Sequence, residues 1–203
     1  MRETAWVEDI VVDRLNQAYF NDQHHLEIWP AFKLPYADEV RTYKGVDPQT
    51  RHMQAFQTDM LVREVDKNGV WKPRVVIEAK MSRITTHDAI TYSQKTATHK
   101  QIHPYLRYGI MVGNRKHYPL PGRLFRHGAH FDFMLSWVGI EPTENELSTL
   151  ATVIKNEVEA SQALEEIIYQ SRSKNREHYT FYHKPLMLKR IENFNKAGNE
   201  DSK

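Results

Sequence analysis

Three charged side chains in the first half of the chain, Asp59, Glu78 and Lys80, are of the types that hydrolyse phosphate esters. Two carboxylates supply the oxygen ligands that a divalent metal needs. A neighbouring ammonium adds positive charge beside a bound phosphate. An Asn68-Gly69 dipeptide separates Asp59 from the other two residues. The chemistry therefore depends on whether the chain folds back at that dipeptide.

A β-hairpin would bring these side chains together. Asn-Gly is the preferred pair for a two-residue type I′ loop, and here it lies between runs rich in Val, Ile and Met. If Lys67 and Val70 flank the loop, the opposed pairs are Gln57–Lys80, Thr58–Ala79, Asp59–Glu78, Met60–Ile77, Val62–Val75 and Arg63–Arg74. The β-carbons of Asp59 and Glu78 would then lie ~5 Å apart, on the side of the hairpin opposite its apolar face. Pro73 lacks an N–H group, so a bulge there can shift the register.

The pair Asp59 and Glu78 also has a purely structural interpretation, as ordinary cross-strand neighbours. Opposed like charges destabilise a hairpin unless a cation neutralises them. That cost favours a cation-binding function. Arg63 and Arg74 would repel each other in the same way unless an anion such as a DNA phosphate lay between them.

Charge is distributed unevenly along the chain. The segment 89–131 contains no Asp or Glu, and its cations are Lys95, Lys100, Arg107, Arg115, Lys116, Arg123 and Arg126. The segment 132–170 is strongly acidic, and Lys155 is its single cation. We predict a basic face that binds a polyanion and a separate acidic face. A solvated surface that happens to be basic is the alternative.

The composition suits one main domain. The chain has 203 residues, 40% of them hydrophobic, and a net charge of +2. It has no cysteine, which excludes disulfides and thiolate metal sites and fits a reducing compartment. The N-terminus lacks a signal-peptide pattern, and no apolar run reaches membrane-spanning length. We therefore expect a cytoplasmic protein without membrane contact.

Hydrophobic periodicity and turn residues predict the order of the elements. They are a helix at 3–20, a strand at 26–34, a loop at 35–53, the hairpin at 57–80, a helix at 86–102, strands at 108–113 and 131–138, and a helix at 143–170. Thr4 is a candidate N-cap of the first helix, and Thr85 or Thr86 of the second. The strands on either side of the second helix are expected to be parallel. We assign residues 1–140 to the core and residues 141–203 to a C-terminal helix and a basic, aromatic tail, either in the same domain or as an appendage.

Asp59 on one strand, followed by Val75-Val76-Ile77-Glu78-Ala79-Lys80 on the next, resembles the PD-(D/E)XK nuclease superfamily, which has the restriction-endonuclease-like fold. The resemblance covers about residues 1–138 in the order of their elements, and Thr58 stands where the family's name places proline. It implies an α/β fold with a central mixed β-sheet flanked by helices, to which a C-terminal helical extension is added. It also implies a Mg²⁺-dependent endonuclease that hydrolyses DNA, of the type II restriction class, with Mn²⁺ as a substitute metal.

The resemblance implies a role for each matching residue. Asp59, Glu78 and the Ala79 carbonyl are expected to hold the metal, and Lys80 to orient or help deprotonate the attacking water. Glu8 resembles the acidic residue that many members carry on the first helix; a solvated position at the helix edge is the alternative. Candidates for nucleic-acid contacts are Gln94, Lys95, His99, Lys100, Arg107, Arg115, Lys116, Arg123 and Arg126.

Other functions have less support in the sequence. His99 and His103 have a helical spacing that can hold Zn²⁺, with His127 and His130 to complete a set, but the helix lacks the Glu of a His-Glu-x-x-His motif. There is no glycine-rich phosphate loop and no Gly-x-Ser-x-Gly motif, so we expect no nucleotide cofactor. A non-catalytic nucleic-acid-binding module and a DNA-repair or recombination nuclease remain open. DNA is the expected partner, and a homodimer is expected if both strands are cut.

Overall fold

The computed structural model describes residues 2–20, 25–49, 51–115 and 120–170. The candidate Lys116 and the basic, aromatic tail from Ser171 onward lie outside the described residues. Within them the chain forms a mixed five-stranded β-sheet with helices on both faces. The α/β class, the mixed sheet and the flanking helices expected from the sequence are confirmed.

Three helices agree closely with the periodicity of the sequence, whereas the short helix at residues 122–127 was not predicted. The helices are α1 (residues 3–20), α2 (Thr86–Ile102), α3 (Gly122–His127) and α4 (Glu144–Gln170). Thr85 caps α2 through a capping box with Asp88, as its sequence indicates. The prediction of Thr4 as N-cap is wrong, because α1 already begins at Glu3 and Arg2 occupies the cap position. α1 contains wide π-helical turns at Trp6–Val12 and Asn16–Phe20.

The strands form one sheet and a separate two-stranded ribbon. They are β1 (Leu26–Pro30), β2 (Lys33–Val40), β3 (Tyr43–Lys44), β4 (Asp47–Pro48), β5 (Arg51–Gln57), β6 (Met60–Val65), β7 (Trp71–Met81), β8 (Arg107–Gly113) and β9 (Phe133–Ser136). The order in the sheet is β1-β6-β7-β8-β9; β1, β6 and β7 are antiparallel, and β7, β8 and β9 are parallel. The parallel pairing across α2 is therefore confirmed.

Residues 35–53 are not a loop, which corrects the prediction. β2 pairs with β5 from Lys33↔Gln57 to Val40↔Arg51, and β3 pairs with β4 beyond them. Pro35 and Pro48 suggested a break, but Pro35 lies at a register shift of the ribbon and Pro48 near its tip. A two-stranded ribbon has two free edges, so it tolerates proline where a central strand would not.

The β6–β7 hairpin reaches the predicted register through two deviations that cancel. Val65 pairs with Trp71, and the Asp66 N–H donates to the Val70 carbonyl at 2.8 Å, so a three-residue loop replaces the predicted two-residue loop. Gly69 in this loop is left-handed, with φ 78°. A bulge between Val62 and the next pair then restores the predicted pairs Met60↔Ile77 and Val62↔Val75. The predicted Arg63–Arg74 and Gln57–Lys80 pairs are wrong, since Arg63 pairs with Pro73 and Gln57 belongs to β5.

Both faces of the sheet are buried. On one face β6 and β7 pack against α1 and α4, in a core that includes Trp6, Val62, Ile77 and Ile154. Because α4 contributes to this core, its apolar stripe is an integral part of the domain. On the other face the sheet packs against residues from α2 and α3, so the side of the hairpin that carries Glu78 is covered rather than open. Among the described residues, no helix is both long and apolar enough to cross a membrane.

Candidate active site

The carboxyl groups of Asp59 and Glu78 lie next to each other at one end of the hairpin. Asp59 immediately precedes β6, and its Oδ2 accepts a hydrogen bond from the backbone N–H of Ala79 at 2.8 Å. The two carboxyl groups are close enough that Asp59 raises the pKa of Glu78. Burial raises the pKa of Asp59, and the hydrogen bond from Ala79 offsets part of that increase. The structure thus brings together the two acids that the hairpin pattern pairs.

Glu78 is 1% exposed and is held by two side chains from neighbouring elements. Its Oε1 accepts from the Tyr108 hydroxyl at 2.5 Å and lies 2.7 Å from Lys95 Nζ. Burial raises the pKa of Glu78 to about 7; Lys95 lowers it, whereas the neighbouring Asp59 raises it further. Glu78 is therefore a buried acid whose protonation changes near neutral pH.

Lys95 is the counter-ion of this pair rather than a surface residue. It projects from α2, and its ammonium contacts both Glu78 Oε1 and the backbone carbonyl of Gln57. Its side chain is only 13% exposed. The sequence suggested Lys95 as a nucleic-acid contact, and the structure places its charge on Glu78 instead.

Lys80 lies at the same end of β7 but has different partners. Its Nζ is 3.0 Å from Glu3 Oε1, and it is hydrogen-bonded to the Tyr92 hydroxyl. Burial alone would lower the pKa of Lys80, but the bonds to Tyr92 and Glu3 outweigh burial and raise it. Lys80 therefore stays protonated at neutral pH, which suits it to stabilising negative charge and not to acting as a base. We refer to Asp59, Glu78, Lys80 and Lys95 as the carboxylate cluster.

The acidic residue of α1 that reaches the cluster is Glu3, not Glu8. Besides its contact with Lys80, Glu3 accepts a hydrogen bond from the backbone N–H of Met81 at 2.9 Å. Glu8 lies further along α1 and is absent from the polar contacts described for the cluster. Sequence reasoning missed Glu3, Tyr92 and Tyr108 because no local motif marks them; they converge only through packing.

Three of the predicted nucleic-acid contacts are directed into the protein. His99 is fully buried among Tyr36, Phe56 and Tyr108, and burial lowers its pKa to about 4, so it is not available to a phosphate. Arg107 is buried and pairs with Asp132 and Glu157, and Lys100 lies 2.7 Å from Asp132. We refer to Lys100, Arg107, Asp132 and Glu157 as the ion-pair cluster. It shows that the basic and acidic segments of the sequence partly neutralise each other, which corrects the prediction of separate faces.

The remaining candidates lie nearer the surface. Arg115 and Arg123 donate to the backbone carbonyls of Ser82 and Ile84, in the turn that follows Lys80. Gln94 on α2 and Arg126 on α3 are exposed. These four residues remain compatible with nucleic-acid contacts around the carboxylate cluster.

The predicted arginine pair is replaced by ion pairs with acids. Arg63 lies 2.6 Å from Glu27, and Arg74 is paired with Glu64 and Glu165 at 2.5 Å and 2.7 Å. An anion is not needed to separate the two arginines.

The donor set of the carboxylate cluster suits a hard cation better than zinc. Two acidic side chains and a backbone carbonyl are few ligands, and no group of three or more His, Cys, Asp or Glu that could hold a metal occurs in the described part of the chain. Mg²⁺ normally keeps several waters and needs only one or two carboxylates. Asp59 Oδ1 and Glu78 Oε2 are not engaged by Ala79, Lys95 or Tyr108. The residues therefore fit Mg²⁺, whereas the histidines proposed for Zn²⁺ do not form a set.

Comparisons with known proteins do not identify the chain. No protein-family model matches it, and no curated protein is significantly similar to it. The function must therefore be argued from the geometry of the carboxylate cluster.

Proposed function

We propose that the protein is a Mg²⁺-dependent endonuclease that hydrolyses DNA phosphodiester bonds, on a restriction-endonuclease-like core and of the type II restriction class. The observation that carries the proposal is the pairing of buried Glu78 with half-buried Asp59; Lys95 is the nearest cation to the pair, and Lys80 lies at the same strand end. The order of helix, hairpin, crossover helix and parallel strand supports the fold assignment. We propose the cytoplasm as its compartment, because the chain has no cysteine.

The charges of the carboxylate cluster argue for a bound cation. Lys80 is paired with Glu3, so among the residues that the structure describes Lys95 is the one cation in contact with this pair of carboxylates. Burying a second carboxylate without a counter-charge is costly. Such clusters are common where a protein binds a metal or performs acid–base chemistry. A metal ion would supply the missing positive charge.

In this proposal each side chain has one task. Asp59, Glu78 and the Ala79 carbonyl hold Mg²⁺, which when bound would neutralise phosphate charge and lower the pKa of a coordinated water. Lys80 remains protonated and stabilises the pentacovalent phosphate. Tyr108 and Lys95 orient the Glu78 carboxylate. Arg115, Arg123 and Arg126, with Gln94, are proposed to contact the DNA backbone near the turn after β7.

Cleavage of supercoiled plasmid in the presence of Mg²⁺ tests the proposal. Asp59→Asn and Lys80→Met should each abolish cleavage, whereas Lys72→Met should not, because Lys72 is a half-exposed lysine paired with Glu165 far from the cluster. A second readout is independent of activity: Mg²⁺ should raise the Tm of the wild-type protein but not that of Asp59→Asn. Equal cleavage by the wild type and Asp59→Asn would show that the carboxylate cluster is not the active site.

A non-catalytic nucleic-acid-binding module is the second candidate, and Lys95 is the observation that favours it. Lys95 already compensates Glu78 without a metal, as expected of a scaffold that has lost its cofactor. DNA binding without cleavage and without a Mg²⁺ effect on Tm would support this alternative. Branched and linear duplexes in the same assay would separate a repair or recombination nuclease from a restriction enzyme. Sedimentation would show whether a homodimer forms.

A further inference from the structure

The ribbon formed by residues 33–57, here called the arm, starts at the carboxylate cluster. Gln57, its last residue, offers its backbone carbonyl to Lys95, the counter-ion of Glu78. The next residue, Thr58, donates through its backbone N–H and its hydroxyl to the carbonyl of Phe32, which closes the base of the arm. Asp59 follows directly. The arm therefore emerges where a substrate of the cluster would lie.

The base of the arm is fixed to the domain. Tyr36 and Phe56 stack with ring centroids 3.9 Å apart, and both contact the buried ring of His99 on α2. Leu34 belongs to the core on that face of the sheet, and its carbonyl lies 3.0 Å from His99 Nε2. These contacts set the direction in which the arm leaves the domain.

The tip of the arm combines exposed apolar side chains with cations. Tyr43 is 67% exposed and Val46 is 90% exposed. Arg41 and Lys44 are exposed beside them, as is one acid, Asp47, which is the cross-strand partner of Lys44. Gly45, with φ 65°, allows the tight turn that presents Val46. Water-exposed apolar residues at the end of a projection with an anchored base indicate a partner, and the excess of two cations over one acid at the tip indicates that the partner is anionic.

We propose that the arm lies in the major groove of the duplex DNA bound at the carboxylate cluster, with Tyr43 and Val46 against base edges and Arg41 and Lys44 on phosphates. This inference rests on the proposed function and adds the element that selects sequence. The major groove is ~12 Å wide and admits a two-stranded ribbon. The residues of β2 span ~25 Å at ~3.3 Å per residue, which is most of one ~34 Å turn of B-DNA.

A second copy of the chain fits the tip less well than DNA does. A symmetric contact would bring together two copies of Arg41 and Lys44 and only two copies of Asp47, which leaves an excess of positive charge between the tips. Apolar contacts would have to overcome the repulsion that remains. Phosphates remove it, because they supply the opposite charge.

Two arm variants and one matched control test the proposal. The variants are Arg41→Ala/Lys44→Ala and Tyr43→Ala/Val46→Ser. The control is Lys67→Ala/Val70→Ala in the β6–β7 loop, a second exposed hairpin tip at the opposite end of β7 from Glu78. Binding to a pool of random duplexes is measured in EDTA, so that cleavage plays no part, and Tm confirms that all variants fold.

Each arm variant should have a different effect. Arg41→Ala/Lys44→Ala should weaken binding to all sequences and reduce the slope of log affinity against log salt by about 2, because two phosphate contacts are lost. Tyr43→Ala/Val46→Ser should flatten the sequence preference of the bound pool while the salt slope stays unchanged. The control should change neither.

Arm variants that match the control would overturn the proposal, while cleavage that still depends on Asp59 would leave the proposed function standing. A fall in sedimentation mass of the arm variants with unchanged DNA binding would also overturn it, since the arm would then join two copies of the chain. Failure of the wild-type protein both to bind and to cleave duplex DNA would reject the arm proposal together with the proposed function.

Discussion

Two buried groups of charges lie on the two sides of Tyr108 and differ in how completely they are balanced. The Tyr108 hydroxyl donates to Glu78 of the carboxylate cluster, and its backbone N–H donates to Asp132 of the ion-pair cluster. The ion-pair cluster has two cations and two acids in contact at 2.6–3.1 Å. In the carboxylate cluster Lys80 pairs with Glu3, which leaves Lys95, within the described part of the chain, as the single cation against two carboxylates.

The difference separates a structural role from a functional one. Burial raises the pKa of Glu157 as well, but a guanidinium contacts its carboxylate and favours the charged form. Glu78 has a second acid beside it, and its pKa rises to about 7. A complete set of ion pairs can hold strands and helices together without a ligand. An incomplete set needs either a proton or an added cation, which makes it suited to binding a metal.

Glu78→Gln should abolish the function that we assign to the carboxylate cluster. The substitution keeps the shape of the side chain and removes the charge that would hold a metal, so DNA cleavage should fall about 10³-fold. The protein should stay folded, because Asp59 remains near Lys95 and can balance its charge. Cleavage rates and thermal unfolding measure the two effects. Cleavage by Glu78→Gln at the wild-type rate would show that the charge of Glu78 is not needed for catalysis.

Asp132→Ala should destabilise the fold, because it disrupts the ion-pair cluster. It leaves Arg107, which is 5% exposed, without one of its acids, and removing one partner of a buried ion pair costs about 3–5 kcal/mol. Urea unfolding measures this loss, and cleavage per folded molecule should change less than tenfold. The distinction between the clusters fails if Asp132→Ala is as stable as the wild type.

The pH dependence of stability, measured in EDTA, tests whether the pKa of Glu78 is raised as expected for an incompletely neutralised acid. The pKa of Glu78 is raised to about 7, so its contribution to the free energy of unfolding is complete below its unfolded pKa of 4.5 and is lost as the pH rises through 7. The pKa of His99 is lowered to about 4, so its contribution is complete above its unfolded pKa of 6.5 and is lost as the pH falls from 6.5 toward 4. The two contributions oppose each other between pH 4.5 and 6.5.

Glu78→Gln removes the contribution of Glu78 to the pH dependence of stability, so the contribution of His99 should become visible. The free energy of unfolding of the variant should decrease as the pH falls from 7 to 4.5, and its deficit relative to the wild type should grow by about 2–3 kcal/mol. Denaturant titrations at several pH values measure this deficit. Parallel curves for the two proteins would contradict the assignment of the raised pKa to Glu78.

The smallest expected effect distinguishes Glu3 from Glu8, two of the acids of α1. Glu3→Gln removes the partner of Lys80 and should lower cleavage about tenfold, through loss of one charge-assisted contact worth about 1.5 kcal/mol. Glu8→Gln should stay within twofold of the wild type. Both residues are on the same helix, so each serves as the control for the other. A larger loss of cleavage in Glu8→Gln than in Glu3→Gln would show that Glu8, and not Glu3, belongs to the active site.

Much of the fold could be predicted, but sometimes for incomplete reasons. The core pairs of the β6–β7 hairpin were predicted with the wrong loop length, and the bulge after Val62 compensated for it. The arm was missed because its prolines and exposed residues lack the alternation of a strand packed on a core. Thr85 and Asp88 define the start of α2 locally, so that helix was predicted almost to the residue.

The proximity of the two acids of the carboxylate cluster could be predicted from the sequence alone. Asp59 and Glu78 follow from strand periodicity and a turn, both of which act over short stretches of chain. Tertiary structure decided everything that depends on long-range packing: that Lys95 neutralises Glu78, that Glu3 takes the place expected of Glu8, and that Lys100 and Arg107 are committed to Asp132. A pattern of charges shows their signs and spacing along the chain, whereas their partners depend on which surfaces the fold brings into contact and removes from water.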